Sequence, residues 1–403
     1  MYGTVDPVVV PAPRVSRVTR RAVLGALGLG AVGLLAGNVL PVDVDVVGRP
    51  TADRPPAPIR AMRAEHVGWV TGAGSANRTA QAGVAGTDLG IMWDDGTGDV
   101  LVAYGDTFGR GWAGHGGEAW PGWTREQADW RSNVLARSTT TDLSKGLTLD
   151  SWITDVPGHA RQVIPRDHRP GVREYTVIPT SGIAIGTRNL MSYMSVRRWH
   201  DEGGRWDTNY AGIAYSDDRG ATWHKPESAQ WANTPDGGQG WQMCAFARER
   251  GRLYVFGTPN GRWGPVRLSR VREDDALDLA AYEQWTGKGW TRDQARAVPV
   301  IPAPASELSV IFHEPTAQWL AAHFNEALRA IVVHTAPALT GPWSRPRAVV
   351  TDRDFPQPYG AFFHPSSATS ASPYFQMSQW GEYNTRLMRL DIETDRLSSA
   401  AAR

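Results

Sequence analysis

Only one of the 403 residues, Cys244, is a cysteine. An intramolecular disulfide and a zinc site built on cysteines are therefore both excluded. Cys244 itself reads as a small, buried core residue. Lysine is nearly as scarce: Lys145, Lys225 and Lys288 are the whole set, and every other basic side chain is arginine. The chain also lacks an excess of either charge, with 42 basic against 41 acidic residues and a formal net charge of +1. Nucleic-acid binding needs a concentrated positive surface, so no nucleic-acid partner is expected. Long helical periods are missing after residue 60; the nearest candidate, residues 272–285, is short and acidic. No cofactor motif is present, and no stable protein partner is expected. Tryptophan, in contrast, occurs 18 times. That density points to a repeated packing position or to a surface that stacks on flat or sugar-like ligands.

The first forty residues read as an export signal. Arg20-Arg21 precede an uncharged run from Ala22 to Leu40 that is rich in glycine and alanine. Paired arginines before a mildly hydrophobic segment predict a twin-arginine signal, and hence an extracellular or cell-envelope protein. The competing reading, a membrane anchor, is weakened by five glycines in a run of barely spanning length. No cysteine follows the run, which excludes a lipoprotein anchor. Residues 41–59 read as a linker, and one domain is expected over residues 60–403.

Within that domain, short β-rich runs are split by Gly, Pro, Asp and Asn. They fall into a phrase of three strands that recurs five times. Second strands of the phrase begin near residues 100, 189, 252, 318 and 373, and inner strands near 87, 176, 241, 307 and 359. A period of about sixty residues with three or four strands is the signature of a propeller blade. An irregular β-sandwich would also have short strands but would not repeat their order. The fold class expected is therefore all-β, a five-bladed β-propeller. Trp152, Trp223, Trp285 and Trp343 follow third strands, where a fourth, outer strand would fit. Ser216-Asp217-Asp218-Arg219-Gly220-Ala221-Thr222-Trp223 matches the aspartate turn common in blades, with Asp218 and Thr222 fastening a hairpin.

Blade geometry sorts the polar residues. The start of an inner strand and the end of the second strand share one face, over the central channel. Asp88, Asp106 and Glu307 converge there as candidate catalytic residues. Carboxylates sharing a pocket split their pKa values, so one serves as acid and another as base or nucleophile, the equipment of a glycoside hydrolase. Alone, Asp88 or Asp106 would more naturally cap a turn. Candidate substrate-binding residues are Thr107, Trp130, Arg131, Asn133, Arg197, Asn260, Asn325, His364 and Trp380. Indole faces with Arg, Asn and Gln between them suit the C–H faces and hydroxyls of a neutral sugar chain. His115, His313, His323 and His364 show no metal-ligand spacing. A central ion held by one His and waters is compatible with five blades but has no support in the residues.

Taken in order, Gly86-Thr87-Asp88-Leu89-Gly90, Gly105-Asp106-Thr107-Phe108, Trp130-Arg131-Ser132-Asn133-Val134-Leu135-Ala136-Arg137-Ser138, Glu307-Leu308-Ser309-Val310 and Gly341-Pro342-Trp343-Ser344 resemble one family. It is the actinobacterial and Bacteroidetes domain long labelled as of unknown function and later recognised as endo-D-arabinanases. The resemblance covers residues 65–393. It implies a glycoside hydrolase acting on the D-arabinan of mycobacterial arabinogalactan and lipoarabinomannan, with the catalytic pair carried onto Asp88 and Asp106. The partner implied is thus a cell-wall polysaccharide. A glycan-binding propeller without activity, or a glycosidase for L-arabinan or sialosides, remains open on the residues alone.

The export reading has a direct test. Replacing Arg20 and Arg21 together by Lys is expected to stop transport; an unchanged extracellular yield would exclude the twin-arginine route.

Overall fold

A computed structural model describes residues 55–395, apart from residue 237. The expected export signal, most of the linker and residues 396–403 lie outside the described residues. The described part is all-β, with five antiparallel sheets that radiate from one axis. Blade 1 runs from inner to outer through Leu89–Asp94, Val100–Tyr104, Val134–Ser138 and Ser151–Trp152. Blade 2 uses Thr176–Ile185, Arg188–Trp199, Trp206–Ser216 and Gln230–Ala232. Blade 3 uses Met243–Glu249, Arg252–Thr258, Val266–Arg272 and Glu283–Trp285, with two further short strands at its edge. Blade 4 uses Ser306–His313, Gln318–Asn325, Ala330–Ala336 and Arg347–Thr351. Blade 5 uses Pro358–Phe363, Tyr374–Gln379, Asn384–Thr394 and, as its outermost strand, Ile59–Trp69.

The inner and second strands are near-continuous apolar runs because each is covered on both faces by the neighbouring blades. Every residue of Val100–Tyr104 and of Gln318–Asn325 is buried. Each inner strand packs on the next, and the fifth returns to the first, so the ring closes. Burial of a Leu, Ile, Val or Phe side chain contributes about 1.5–3 kcal/mol, and the largest core cluster takes such residues from blades 1, 2, 4 and 5, with Met243 from blade 3. Where the inner strands meet, a small cavity is lined by Leu89, Ile178, Met194, Met243 and Phe362, together with Glu307. This mostly apolar lining adjoins the site described below.

Ring closure uses the start of the domain. Ile59–Trp69 pairs antiparallel with Asn384–Thr394, so the last sheet is completed from the other end of the described chain. The repeated phrase gave no sign of this strand. Two of the four expected outer-strand tryptophans are also elsewhere. Trp152 and Trp285 lie in outer strands, but the outer strands of blades 2 and 4 begin beyond Trp223 and Trp343. Trp223 instead packs edge-on against Trp93 at 6.4 Å, and Trp343 against Phe256 at 5.9 Å. Indole area is better used in the wedge between blades than on a short edge strand.

The aspartate turn forms as expected. Asp218 Oδ1 accepts from Ser216 Oγ and Thr222 N, both at 2.8 Å, and Oδ2 accepts from Thr222 Oγ1 at 2.6 Å. Cys244 is buried, with burial raising its thiol pKa.

Trp93 joins blade 1 to blade 2: it is 4% exposed, and its Nε1 donates to Asn189 Oδ1 at 2.8 Å. Trp93→Ala is expected to destabilise the protein by about 3–5 kcal/mol in chemical denaturation. A loss below about 1 kcal/mol would mean that this wedge does not hold the blades together.

Candidate active site

The catalytic candidates owe their positions to irregular strand starts. Asp88 immediately precedes the first inner strand, and Glu307 is the second residue of the fourth. Register breaks fall between Leu89 and Ile91, Pro179 and Ser181, Ser306 and Ser309, and Tyr359 and Phe362. Bulges of this kind re-aim side chains and cluster beside active sites. Two of them place non-glycine residues in the left-handed region, Leu89 at φ 71° and Glu307 at φ 43°. Such backbone is disfavoured for a residue with a Cβ and persists where its surroundings enforce it. Asp106 follows the end of the second strand and is held by a two-residue pairing of Thr107–Phe108 with Trp130–Arg131. Gly105 lets the two aspartates come together: a Cβ there would lie 2.4 Å from Asp88 Oδ1.

Each carboxylate has its own setting. The Tyr359 hydroxyl donates to Asp88 Oδ2 at 2.9 Å, while Oδ1 is sealed and meets no well-aligned donor among the described residues. Burial raises the Asp88 pKa to about 8, aided by the charge of Asp106 and, more weakly, of Glu307. Asp106 Oδ1 accepts from Thr176 Oγ1 at 2.5 Å and from Trp130 Nε1 at 3.2 Å, and Arg125 Nη1 stands 3.8 Å from Oδ2. Burial leaves the Asp106 pKa raised as well, although Arg125 and these two donors offset part of the rise. Glu307 Oε1 takes Arg262 Nε at 2.9 Å and Nη2 at 2.7 Å, and Oε2 accepts from Ser306 Oγ at 2.9 Å. The Arg262 guanidinium also lies over Tyr359 at 5.0 Å and Phe324 at 5.4 Å. Tyr383 is buried beside both aspartates, and burial together with their charges keeps its hydroxyl protonated.

The wall on one side is the connection 109–129. It docks on blade 5 through Gly116 N to Gly381 O at 3.2 Å, and Trp112 Nε1 donates to Gly116 O at 2.9 Å. Arg125 leaves this connection to stack over Tyr175 at 4.3 Å and Trp130 at 4.8 Å. Cation–π contact fixes the guanidinium where it faces Asp106.

Among the candidate binding residues, Trp130 is the one that hydrogen-bonds a candidate catalytic carboxylate. Thr107 is fully buried and bonds Thr87 Oγ1 at 2.7 Å. Arg131 is spent on Ala160 O at 3.0 Å, His159 Nε2 at 2.9 Å and Gly83 O. Asn133 stitches blade 1 to blade 2, accepting from Ile164 N at 2.8 Å and donating to Val177 O at 3.0 Å. Asn260 Nδ2 donates to Trp206 O at 2.6 Å, and Asn325 Nδ2 to Pro304 O at 3.1 Å. These five side chains bond to backbone and neighbouring side chains, and all but the partly exposed Asn260 are buried. His364 follows the far end of the fifth inner strand, away from Tyr359 at its start. Burial lowers its pKa to about 4. It belongs to the opposite face. Arg197 and Trp380 are exposed at the rim, as expected. Among the described residues no group of three or more His, Cys, Asp or Glu could hold a metal ion.

Tyr359, Thr176, Arg262, Arg125 and Tyr383 escaped the sequence reading as site residues. Tyr359 and Thr176 could have been found, because they stand at the strand-start offset that picked out Glu307. Arg262, Arg125 and Tyr383 come from connections of unequal length, where the repeat supplies no offset.

The raised pKa of Asp88 has a consequence for stability. A carboxyl whose folded pKa lies above its unfolded value binds more protons in the folded state across that interval, so stability falls as pH rises from about 4 to about 8. Asp88→Asn removes this loss. The variant is expected to gain in Tm over wild type at about pH 9 and to gain little at about pH 4.5. A Tm difference that does not change with pH would show that Asp88 carries no raised pKa.

Residues 74–389 match the family described as a domain of unknown function, DUF4185. Notoamide biosynthesis cluster protein J′ of Aspergillus versicolor is 30% identical over 320 residues, covering 74% of this chain and 82% of that protein. Among solved structures, one from Bacteroides ovatus ATCC 8483 is 12% identical with a TM-score of 0.51, over 81% of this chain and 87% of that one. A family 117 glycoside hydrolase from the marine bacterium Zobellia galactanivorans is 11% identical with a TM-score of 0.49, over 82% and 90%. The likeness to the Bacteroides structure is one of fold. With nearly the whole propeller inside the matched region, the chain belongs to the DUF4185 family.

Proposed function

We propose that this protein is a glycoside hydrolase that cuts internal D-arabinofuranosyl linkages of cell-wall arabinan. The observation that carries the hydrolase reading is the unequal pair: Asp88 with its pKa near 8, electrostatically coupled to an Asp106 that has a cation and two donors. At neutral pH Asp88 holds a proton, while Asp106, which burial also raises, is drawn toward ionisation by Arg125, Thr176 and Trp130. Asp88 then acts as general acid and protonates the glycosidic oxygen as its bond to the anomeric carbon breaks. Asp106 either attacks that carbon or takes a proton from the water that attacks it, according to the separation of the two carboxyls. Glu307, ion-paired with Arg262, is a positioning residue whose negative charge helps to keep the proton on Asp88. The arabinan specificity is supported by the resemblance of the Asp88, Asp106, Trp130–Ser138 and Glu307 segments. The paired arginines at 20 and 21 support an extracellular or envelope location, where that polymer occurs.

Asp88→Asn and Asp106→Asn are each expected to lower release of reducing ends from arabinogalactan by about a hundred- to ten-thousand-fold. Both should remain folded and still bind the polymer, and Glu307→Gln should lose less. The rate should fall on the alkaline side as Asp88 loses its proton, near pH 8. Full activity in Asp106→Asn with none in Glu307→Gln would reassign the pair to Asp88 and Glu307. Polymer binding without cleavage by wild type would make the protein a lectin-like propeller.

A further inference from the structure

The two faces of the ring differ in what they expose. All the exposed large apolar side chains among the described residues lie in, or at the ends of, connections on the carboxylate face. None lies in the turns from inner to second strands, nor between third and outer strands. Every blade contributes at its second-to-third connection: Trp120 and Trp123 in blade 1, Trp199 in blade 2, Trp263 in blade 3, Leu328 in blade 4 and Trp380 in blade 5. Their exposures run from 37% to 52%. Isolated exposed apolar residues need no account, but their confinement to one face marks an interaction surface.

The tryptophans form two groups. Trp120 and Trp123 meet edge to face at 5.2 Å. Trp380 stands beside Gly116 of the same connection, where a Cβ would be 3.4 Å from its indole. Across the ring, the turns of blades 2 and 3 are joined by Arg262 N to Gly204 O at 2.9 Å, and Arg205 covers the Trp263 ring at 5.6 Å. Blades 5 and 1 thus carry one shelf and blades 2 and 3 the other, with the carboxylate pocket between them. The second shelf is tied to the pocket directly, because Arg262 is the partner of Glu307.

We propose that Trp120, Trp123 and Trp380 on one side, and Trp199 and Trp263 on the other, are sugar-stacking shelves that hold an extended neutral polysaccharide across the pocket. This rests on the hydrolase reading for its position but on the aromatic groups for its content. Separate indoles interleaved with arginines suit the alternating apolar faces and hydroxyls of a glycan. A membrane surface would call for one contiguous apolar patch beside basic clusters. Contacts on both sides of the reacting bond hold a chain by its middle, which favours internal cleavage.

The test compares wild type with Trp120→Ala/Trp123→Ala and Trp199→Ala/Trp263→Ala. Retardation in native gels containing arabinogalactan reports binding, and KM and kcat on the same polymer report turnover. Each double variant is expected to bind about tenfold more weakly and to raise KM by a similar factor, with kcat within about twofold and Tm unchanged. Unchanged polymer binding in both variants overturns the shelves. Wild type that binds phosphatidylglycerol vesicles but no polysaccharide overturns them too, and assigns the face to a membrane. Weakened binding in the variants, with no cleavage by wild type, upholds the shelves while the hydrolase reading falls.

Discussion

Three carboxylates share one end of the propeller axis, and one of them, Glu307, borders a cavity lined by Leu89, Ile178, Met194, Met243 and Phe362. Buried like charges repel and are poorly solvated, and no folded state tolerates this unless each charge is removed or matched. The surrounding residues supply three different answers. Glu307 receives a guanidinium fork. Asp106 receives a more distant arginine and two neutral donors. Asp88 receives one tyrosine hydroxyl and retains a proton. The chemistry proposed for the site follows from that inequality rather than from any single residue.

The blades serve this arrangement by being imperfect where they meet the axis. Regular inner strands would alternate their side chains between neighbouring blades. The register breaks at Leu89–Ile91 and Ser306–Ser309, with left-handed backbone at Leu89 and Glu307, interrupt that alternation at the site. Strain of this kind is affordable because the ring is closed: Ile59–Trp69 zips the last blade to the start of the domain. The inter-blade wedges, such as Trp93 with Asn189, hold the blades in register around it.

Most of the architecture was legible because blades repeat. Inner strands expected near 176, 307 and 359 begin at Thr176, Ser306 and Pro358. The recurring phrase exposes such boundaries, since each strand is an apolar run between turn residues. Ile59–Trp69 was not legible, because its partner strand is more than three hundred residues away and its pattern belongs to no complete phrase. Polar residues were harder still. Asn133 and Asn325 look like sugar ligands when seen as letters, yet a buried amide next to a strand end is equally able to satisfy backbone groups, and these do. His364 was misplaced because its blade position, at the far end of an inner strand, was weighed less than its residue type. Arg262 and Arg125 show the converse. Their importance comes from which carboxylate the fold sets beside them, and nothing local in the chain records it.

The claim that most of this rests on is that Asp88 and Asp106 ionise separately. Carbon-13 NMR of protein labelled at the aspartate side-chain carboxyl carbons, with Asp88→Asn and Asp106→Asn used to assign the two signals, measures this without substrate. The account predicts that at neutral pH the Asp88 carboxyl is protonated, with a midpoint near pH 8, while Asp106 ionises at a lower pH than Asp88. Two carboxylates both ionised by about pH 5 would contradict it.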